Sequence, residues 1–164
     1  MRAIACMAAN RTIGDKGKLP WKVSGDLKFF KKMTEGCICI VGSTTYDSLP
    51  YLKGRRFYVH TRAVGKYKIG RDPRTGNEIV AENLDPEGKY LPIYSGRDDV
   101  WVIGGEWMYD KLLKFCSDLY LTVLTANYDG DVQFPEFEHL FNYKGIVEEA
   151  EGYRIIHYTN KHEN

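Results

Sequence analysis

The sequence predicts one α/β domain over residues 1–164, with a mixed, mainly parallel central sheet flanked by helices and a C-terminal antiparallel hairpin. Short apolar runs at residues 2–9, 37–42, 57–60, 100–103 and 119–124 are bounded by polar or glycine-containing turns. Runs of that length and continuity are what strands buried on both faces of a parallel sheet require. Helical stretches follow the first, second and fourth runs, as crossovers between parallel strands do. After the fifth run, two alternating segments meet at Glu151-Gly152, the pattern of a hairpin. A chain of 164 residues with 43% hydrophobic content can build one core without a disulfide or metal.

Composition removes several function classes. Lys and Arg number 23 against 22 Asp and Glu, a net charge of +1, which gives no electrostatic case for nucleic acid or a membrane surface. Any bound anion must be held locally. Cys6, Cys37, Cys39 and Cys116 read as reduced core residues. No zinc site is expected, because Cys37 and Cys39 lack two further ligands and His60, His139, His157 and His162 do not supply the spacing. The N-terminus carries no apolar leader with a cleavage site and no stretch approaches membrane-spanning length, so a cytoplasmic protein is expected.

The first run, Arg2 to Ala9, is a strand in which Ala5, Ala8 and Ala9 leave space beside the backbone, for a ligand or simply for a crowded sheet centre. Asn10 to Gly17 is polar and holds two glycines, so it reads as a loop. Leu19-Pro20-Trp21 then leads to a helix running from Ser24 toward Gly36, with the Ser24 hydroxyl able to cap the first turn. Asp26 lies in that turn. Leu27 is beside it, and Phe30 and Met33 follow four and seven residues on, which sets the carboxylate on the rim of an apolar face. It either complements the helix dipole or is a hydrogen-bonded carboxyl of raised proton affinity, as acid–base and anchoring carboxyls in clefts are.

Cys37 to Gly42 is the second strand, and Gly42-Ser43-Thr44-Thr45 opens a short helical turn whose residues serve as caps or leave N–H groups for an anion. Tyr51 to Arg56 turns into the strand Phe57–His60, with Thr61-Arg62 at its carboxyl end, where open α/β sheets bind ligands. Arg55 and Arg62 are candidates for carboxylate or phosphate recognition, against the ordinary reading of solvated arginines. Between Val64 and Asp99, Tyr67-Lys68-Ile69 and Glu78-Ile79-Val80 flank Asp72 to Asn77 as a hairpin-like excursion. Pro86, Gly88, Pro92 and Gly96 argue against a long helix there.

Val100 to Ile103 is a buried strand, followed by Gly104-Gly105 and a helix from Glu106. Two glycines at such a turn permit unusual dihedrals and let a cofactor touch the backbone, or serve tight packing. A full Gly-x-Gly-x-x-Gly is absent, which disfavours ordinary doubly wound dinucleotide binding. Leu119 to Leu124 is the fifth strand, with Thr122 the one aliphatic hydroxyl inside its apolar interior, a group that needs a partner when buried. Asp129-Gly130-Asp131 is a turn, Phe134-Pro135 leads out of it, and only Lys161 to Asn164 reads as a tail.

Leu19-Pro20-Trp21 with Asp26-Leu27-Lys28-Phe29-Phe30, Gly42 with Thr45, Gly54-Arg55, Ile103-Gly104-Gly105 with Tyr109, Tyr120-Leu121-Thr122 and Phe134-Pro135 occur in one order and spacing. That set resembles dihydrofolate reductase over nearly the whole chain, the segment between residues 64 and 99 excepted. The resemblance implies a dihydrofolate reductase-like fold and NADPH-dependent reduction of 7,8-dihydrofolate to 5,6,7,8-tetrahydrofolate, a step of one-carbon metabolism and tetrahydrofolate biosynthesis. It further implies a cytoplasmic monomer whose partners are small molecules, without metal, nucleic acid or membrane.

By the same resemblance, Asp26 is the pterin-binding carboxylate and Thr122 the hydroxyl that supports it and the ring. Leu19 and Trp21 line the closed site once the loop of residues 9–23 shuts out solvent, and the proton reaches the pterin through water. Ile4, Ala5, Leu27, Phe30, Leu49 and Leu52 match the apolar walls around the pterin and aryl ring, and Arg55 matches the clamp on the glutamate carboxylate. For the cofactor, Ala5, Ile13, Gly42, Thr45, Ile103, Gly104, Gly105 and Tyr109 match positions holding nicotinamide, ribose and pyrophosphate, with Ser43, Thr44 and Thr61 beside them. Arg62 matches a basic position near the 2′-phosphate. The chain departs from the family at Ser43, where a basic residue is common, and Glu106 adds negative charge near phosphates. Two other readings stay open: a reductase of the same fold acting on another pterin or pyrimidine, such as the riboflavin-pathway enzyme, and a catalytically idle binding module.

Overall fold

The computed structural model describes residues 1–16, 21, 23–50, 52–62, 70–82 and 96–162. Chain order is β1 (Arg2–Met7), β2 (Thr12–Gly14), α1 (Ser24–Thr34), β3 (Ile38–Gly42), α2 (Ser43–Ser48), β4 (Arg56–His60), β5 (Gly70–Arg71) and β6 (Glu78–Glu82). There follow β7 (Val100–Val102), α3 (Glu106–Leu112), a 3-10 turn over Leu113–Phe115, β8 (Asp118–Leu124), β9 (Val132–Gln133), β10 (Phe141–Ala150) and β11 (Tyr153–Asn160). Nine strands form one sheet in the order β10-β11-β8-β1-β7-β3-β4-β6-β5, and β2 pairs with β9 in a separate two-stranded ladder.

The centre of the sheet is parallel: β1 pairs with β7 and β8, β3 with β7 and β4, and β4 with β6. Both flanks are antiparallel, through β11 against β8 and β10 on one side and β5 against β6 on the other. The excursion anticipated around Asp72–Asn77 is therefore the β5–β6 pair, and the strand anticipated at Tyr67-Lys68-Ile69 lies outside the described residues.

The apolar runs are continuous because both faces are covered. Along β1, Ala3, Ala5 and Met7 join a cluster with Ile40, Val102, Met108, Leu112 and Leu121, on the α3 side. Ile4 turns to the other face, with Cys39, Val41, Val59, Trp101 and Ile103, where Phe29, Phe30 and Met33 of α1 pack. Ala8, Trp21, Leu124, Tyr153 and Ile155 extend that layer, with Cys6 against them. β1 stops at Met7 rather than Ala9, because the Ala8 N–H bonds the Thr12 carbonyl and the Arg11 N–H bonds the Ala8 carbonyl, which folds the chain back.

The sequence gives Ser24 as the cap of α1, and the structure corrects this. Ser24 is the first helical residue, Val23 occupies the cap in an extended conformation, and no side chain caps the turn. The Leu27 N–H instead bonds the Val23 carbonyl at 3.2 Å, so the first turn is closed by backbone and held by what packs on it.

β2 and β9 meet over Gly130. A Cβ at Gly130 would lie 2.3 Å from the Gly14 carbonyl oxygen and 2.4 Å from Thr12 Cγ2. Backbone cannot yield as a side chain does, so Gly130→Ala is expected to part this ladder at a cost of about 1–3 kcal/mol. The melting temperature should fall by about 3–10 °C in thermal denaturation; an unchanged midpoint would mean the turn accommodates the methyl group.

Candidate active site

Parallel strands carry their C-terminal ends to one edge, and there β1, β3 and β7 deliver Ala5, Gly42 and Ile103 to a cavity of about 670 Å³. Its walls are mainly apolar, as in small-molecule sites generally. α1 contributes Asp26, Leu27 and Phe30, and the α2 turn contributes Ser43, Thr44, Thr45 and Ser48. Gly104, Gly105, Glu106, Trp107, Met108 and Tyr109 come from the start of α3 and the turn before it. The cavity reaches His60 at the end of β4, three strands from β1, which at the usual strand spacing is about 14 Å.

At the β1 end, Thr122 Oγ1 donates to Asp26 Oδ1 at 2.6 Å, and Thr122 is 1% exposed. The partner a buried hydroxyl demands is therefore the carboxyl on the apolar rim. Cys6 lies beside the same carboxyl, from β1. Burial pushes the Asp26 carboxyl above its ordinary range; the Thr122 hydrogen bond, and then the neighbouring Cys6 thiol, pull the other way, and the charge of Glu148 adds to the rise. Burial first, and then the Asp26 charge, pushes the Cys6 thiol well up, so it stays protonated. Trp21 is buried beside them, tilted against Tyr128 with ring centroids 5.3 Å apart. It approaches the Cys6 sulfur, yet its Nε1–H has no partner of hydrogen-bond geometry among the described residues.

At the β3 and β7 ends the glycine pair forms the floor. The Gly42 N–H bonds the Gly104 carbonyl at 2.8 Å, pinning the two strand ends together, and the Gly104–Gly105 peptide is cis. A Cβ on Gly105 would lie 2.8 Å from Thr45 Oγ1, and one on Gly104 would lie 3.3 Å from the Tyr109 hydroxyl. Tyr109 is fixed in turn, donating its O–H to the Ile4 carbonyl at 2.8 Å. Further along, His60 and Trp107 stack face to face, with centroids 4.4 Å apart and planes within 2°. Burial and the nearby Arg62 hold the His60 imidazole below its usual range, so it stays a neutral ring.

Most of the residues singled out from the sequence come together here: Ile4, Ala5, Ile13, Trp21, Asp26, Leu27, Phe30 and Leu49 on the walls, and Gly42, Ser43, Thr44, Thr45, Ile103, Gly104, Gly105 and Tyr109 about the floor. Leu52 is buried but does not line the cavity, and neither do Thr61 and Arg62. Arg55 borders a second, shallower cavity at the opposite end of the strands. Its Nε–H donates to Thr34 Oγ1 at 3.0 Å, Nη2 to the Lys31 carbonyl at 2.5 Å and Nη1 to the Lys53 carbonyl. This arginine thus closes the C-terminal end of α1, where carbonyls lack helical partners. Leu19 lies outside the described residues. Cys6, His60 and Trp107 line the cavity without having been singled out, since a cysteine in a strand and two aromatics 47 positions apart carry no spacing signal.

Among the described residues no three His, Cys, Asp or Glu side chains gather as metal ligands, and no helix is long and apolar enough to cross a membrane. All four cysteines are free.

A family model described as dihydrofolate reductase matches residues 1–158. The dihydrofolate reductase of Bacillus subtilis is 33% identical over 137 residues, covering 82% of this chain and 75% of that one. Dihydrofolate reductase type 8 of Escherichia coli is 33% identical over 146 residues, covering 88% and 85%. Among solved structures, the Enterococcus faecalis dihydrofolate reductase complexed with NADP(H) and RAB-propyl superposes with a TM-score of 0.74 at 25% identity, covering 98% of this chain and 95% of that one.

Proposed function

The chain belongs to the dihydrofolate reductase family, an NADPH-dependent oxidoreductase that reduces 7,8-dihydrofolate to tetrahydrofolate, and from that premise we propose that it does so in the cavity that Asp26 and Gly104-Gly105 bound. The observation that carries this reading is the buried bond from Thr122 to Asp26 at the wall of that cavity.

The residues present suit a nicotinamide dinucleotide. The cavity spans the ends of β1, β7, β3 and β4, and its floor at Gly104 and Gly105 has no side chain, in a place where a Cβ would meet Tyr109 or Thr45. Bound NADPH supplies a hydride for carbon 6 of the dihydropterin. Ala5, Ile13, Ile103 and Tyr109 would flank the nicotinamide end, and Gly42, Ser43, Thr44 and Thr45, with Thr61 behind them, the ribose and pyrophosphate. Arg62, at the carboxyl end of β4, would face the 2′-phosphate.

Asp26 performs the substrate chemistry. Thr122 occupies Oδ1, which leaves the other lone pairs of the carboxyl to accept the paired N–H donors on one edge of the pterin. As the carboxylate, Asp26 favours the protonated ring by its charge, and its raised proton affinity lets it take up a proton further up the pH scale than a solvated aspartate could. Trp21 excludes bulk water at that end, so protonation at N5 goes through a confined water. Leu27, Phe30 and Leu49, which line the cavity, supply apolar walls for the pterin and aryl ring. The substrate's glutamate tail would have to leave the cavity to meet Arg55, whose three bonds leave one N–H on each Nη. The enzyme is further proposed to work as a cytoplasmic monomer.

The test is NADPH oxidation by the purified protein with and without 7,8-dihydrofolate, repeated with NADH. Dihydrofolate-dependent turnover is expected, with NADPH preferred. Arg62→Ala should reduce that preference about tenfold, the worth of one charged hydrogen bond. Absence of dihydrofolate-dependent turnover in folded protein would overturn the reading, and an unchanged preference would remove Arg62 from it.

A further inference from the structure

Four residues lie in one row across the sheet: Cys6 of β1 is opposite Thr122 of β8, Thr122 is opposite Ile155 of β11, and Ile155 is opposite Glu148 of β10. Residues directly opposite in register project from the same face, so Glu148 shares the face of Cys6 and of Thr122, which holds Asp26. Its place is set by the hairpin turn at Glu151-Gly152, from which the pairs Ala150–Tyr153, Glu149–Arg154 and Glu148–Ile155 follow without interruption. Ile146 is paired with Ile156 and Glu148 with Ile155, two steps along β10 for one along β11. The extra residue, Val147, is a β-bulge immediately beyond Glu148, and bulges are common beside active sites.

The next row carries Tyr153 opposite Leu124. Tyr153 is 8% exposed, and its hydroxyl donates to Glu148 Oε2 at 2.7 Å. The same hydroxyl rests on the first turn of α1, where a Cβ on Gly25 would lie 2.0 Å from it. Gly25 immediately precedes Asp26. Tyr153 therefore links the carboxylate of the edge strand to the backbone that carries the site carboxyl.

We propose that Glu148 and Tyr153 form a positioning pair of the reductase site, in which Tyr153 seats the first turn of α1 and the Glu148 charge sets the pH range over which the site turns over. The proposal rests on the reading of Asp26 as the substrate carboxyl. Among the described residues, the polar groups that act on Asp26 are Thr122 by hydrogen bond, the neighbouring Cys6 thiol and Glu148 by charge, with Tyr109 and Tyr153 feeling its charge in return. Glu148 is the one that adds negative charge. It is exposed, so its influence is modest and screened by salt.

The test titrates Asp26 by carbon-13 NMR of aspartate carboxyls in the unliganded protein, with the Asp26 signal identified by its loss in Asp26→Asn. In Glu148→Gln the Asp26 signal is expected to titrate at lower pH than in wild type, and the difference should shrink in about 1 M salt, where the Debye length is about 3 Å. The high-pH limb of kcat/KM should move the same way, so that activity on that limb falls about threefold, the scale of a screened charge pair. Tyr153→Phe should reproduce the shift, and the double variant should add nothing to it. An unmoved carbon-13 midpoint, a kinetic limb that stays put while the midpoint moves, or simple additivity of the two variants would each overturn the pair. Wild-type turnover and an unchanged limb in Asp26→Asn would instead defeat the underlying reading of Asp26, which the NMR titration does not depend on.

Discussion

Asp26→Asn is expected to leave a folded protein that turns over dihydrofolate at least about a hundredfold more slowly near neutral pH. The substitution is isosteric and can still accept the Thr122 hydroxyl through its amide oxygen, so the first turn of α1 keeps its contact with β8. What it removes is the charge that pairs with the N–H edge of the pterin and the group that carries a proton in the site. Activity should be partly restored at low pH, where the substrate arrives already protonated. Stability should respond in the opposite sense. Burial raises the Asp26 carboxyl in the folded state, so folding takes up protons there. Its contribution is fully present below the unfolded value and is lost as pH rises through the folded one. Above that window the wild type holds a penalised charge that the amide lacks, and Asp26→Asn should melt at the same temperature or higher. Kinetics across pH together with thermal denaturation test both halves, and wild-type kinetics would remove Asp26 from the mechanism.

Gly104→Ala is expected to weaken NADPH binding about ten- to hundredfold and to destabilise the apoprotein by about 1–3 kcal/mol. Gly104 has φ of +124°, a conformation that residues with a Cβ rarely adopt. The new methyl group would also sit 3.3 Å from the Tyr109 hydroxyl and 3.5 Å from two ring atoms. Tyr109 has little room to retreat: it is 5% exposed, bonded to the Ile4 carbonyl, and packed edge-on against Phe134 at 5.0 Å between centroids. Relief must come from the floor of the cavity, where Gly42 and Gly104 join the ends of β3 and β7. Fluorescence titration with NADPH and a melting curve read the two effects separately. Unchanged affinity in a destabilised variant would show that the glycine serves packing and not the cofactor.

The central strands were legible because burial on both faces leaves a continuous apolar run, a signal that survives in one dimension. Thr122 stood out for the same reason, a hydroxyl in an interior that must satisfy it, and Asp26 because helical spacing alone sets it against Leu27, Phe30 and Met33. Gly104-Gly105 announced a turn because only glycine suits such backbone. The β5–β6 excursion was visible as a turn around Asp72–Asn77, but its place at the sheet edge was not, since nothing local says that Glu78–Glu82 joins β4 in parallel.

Hydrogen-bond partners were the least legible feature, because they are settled by competition between groups distant in sequence. Ser24 is a good cap by composition, yet the first turn closes on the Val23 carbonyl instead. Arg55 has the chemistry of a carboxylate clamp, and the fold directs three of its donors to Thr34, Lys31 and Lys53. Cys6 comes to the Asp26 side only because β1 and β8 pair in one register, and Glu148 faces that site only because the hairpin turn sets it opposite Ile155. Alone, the sequence determined which segments must be buried and which residue types could act on a pterin and a dinucleotide, since periodicity and side-chain chemistry are local. Strand order and register decided which of those groups meet, because a one-residue change in pairing turns a side chain to the opposite face.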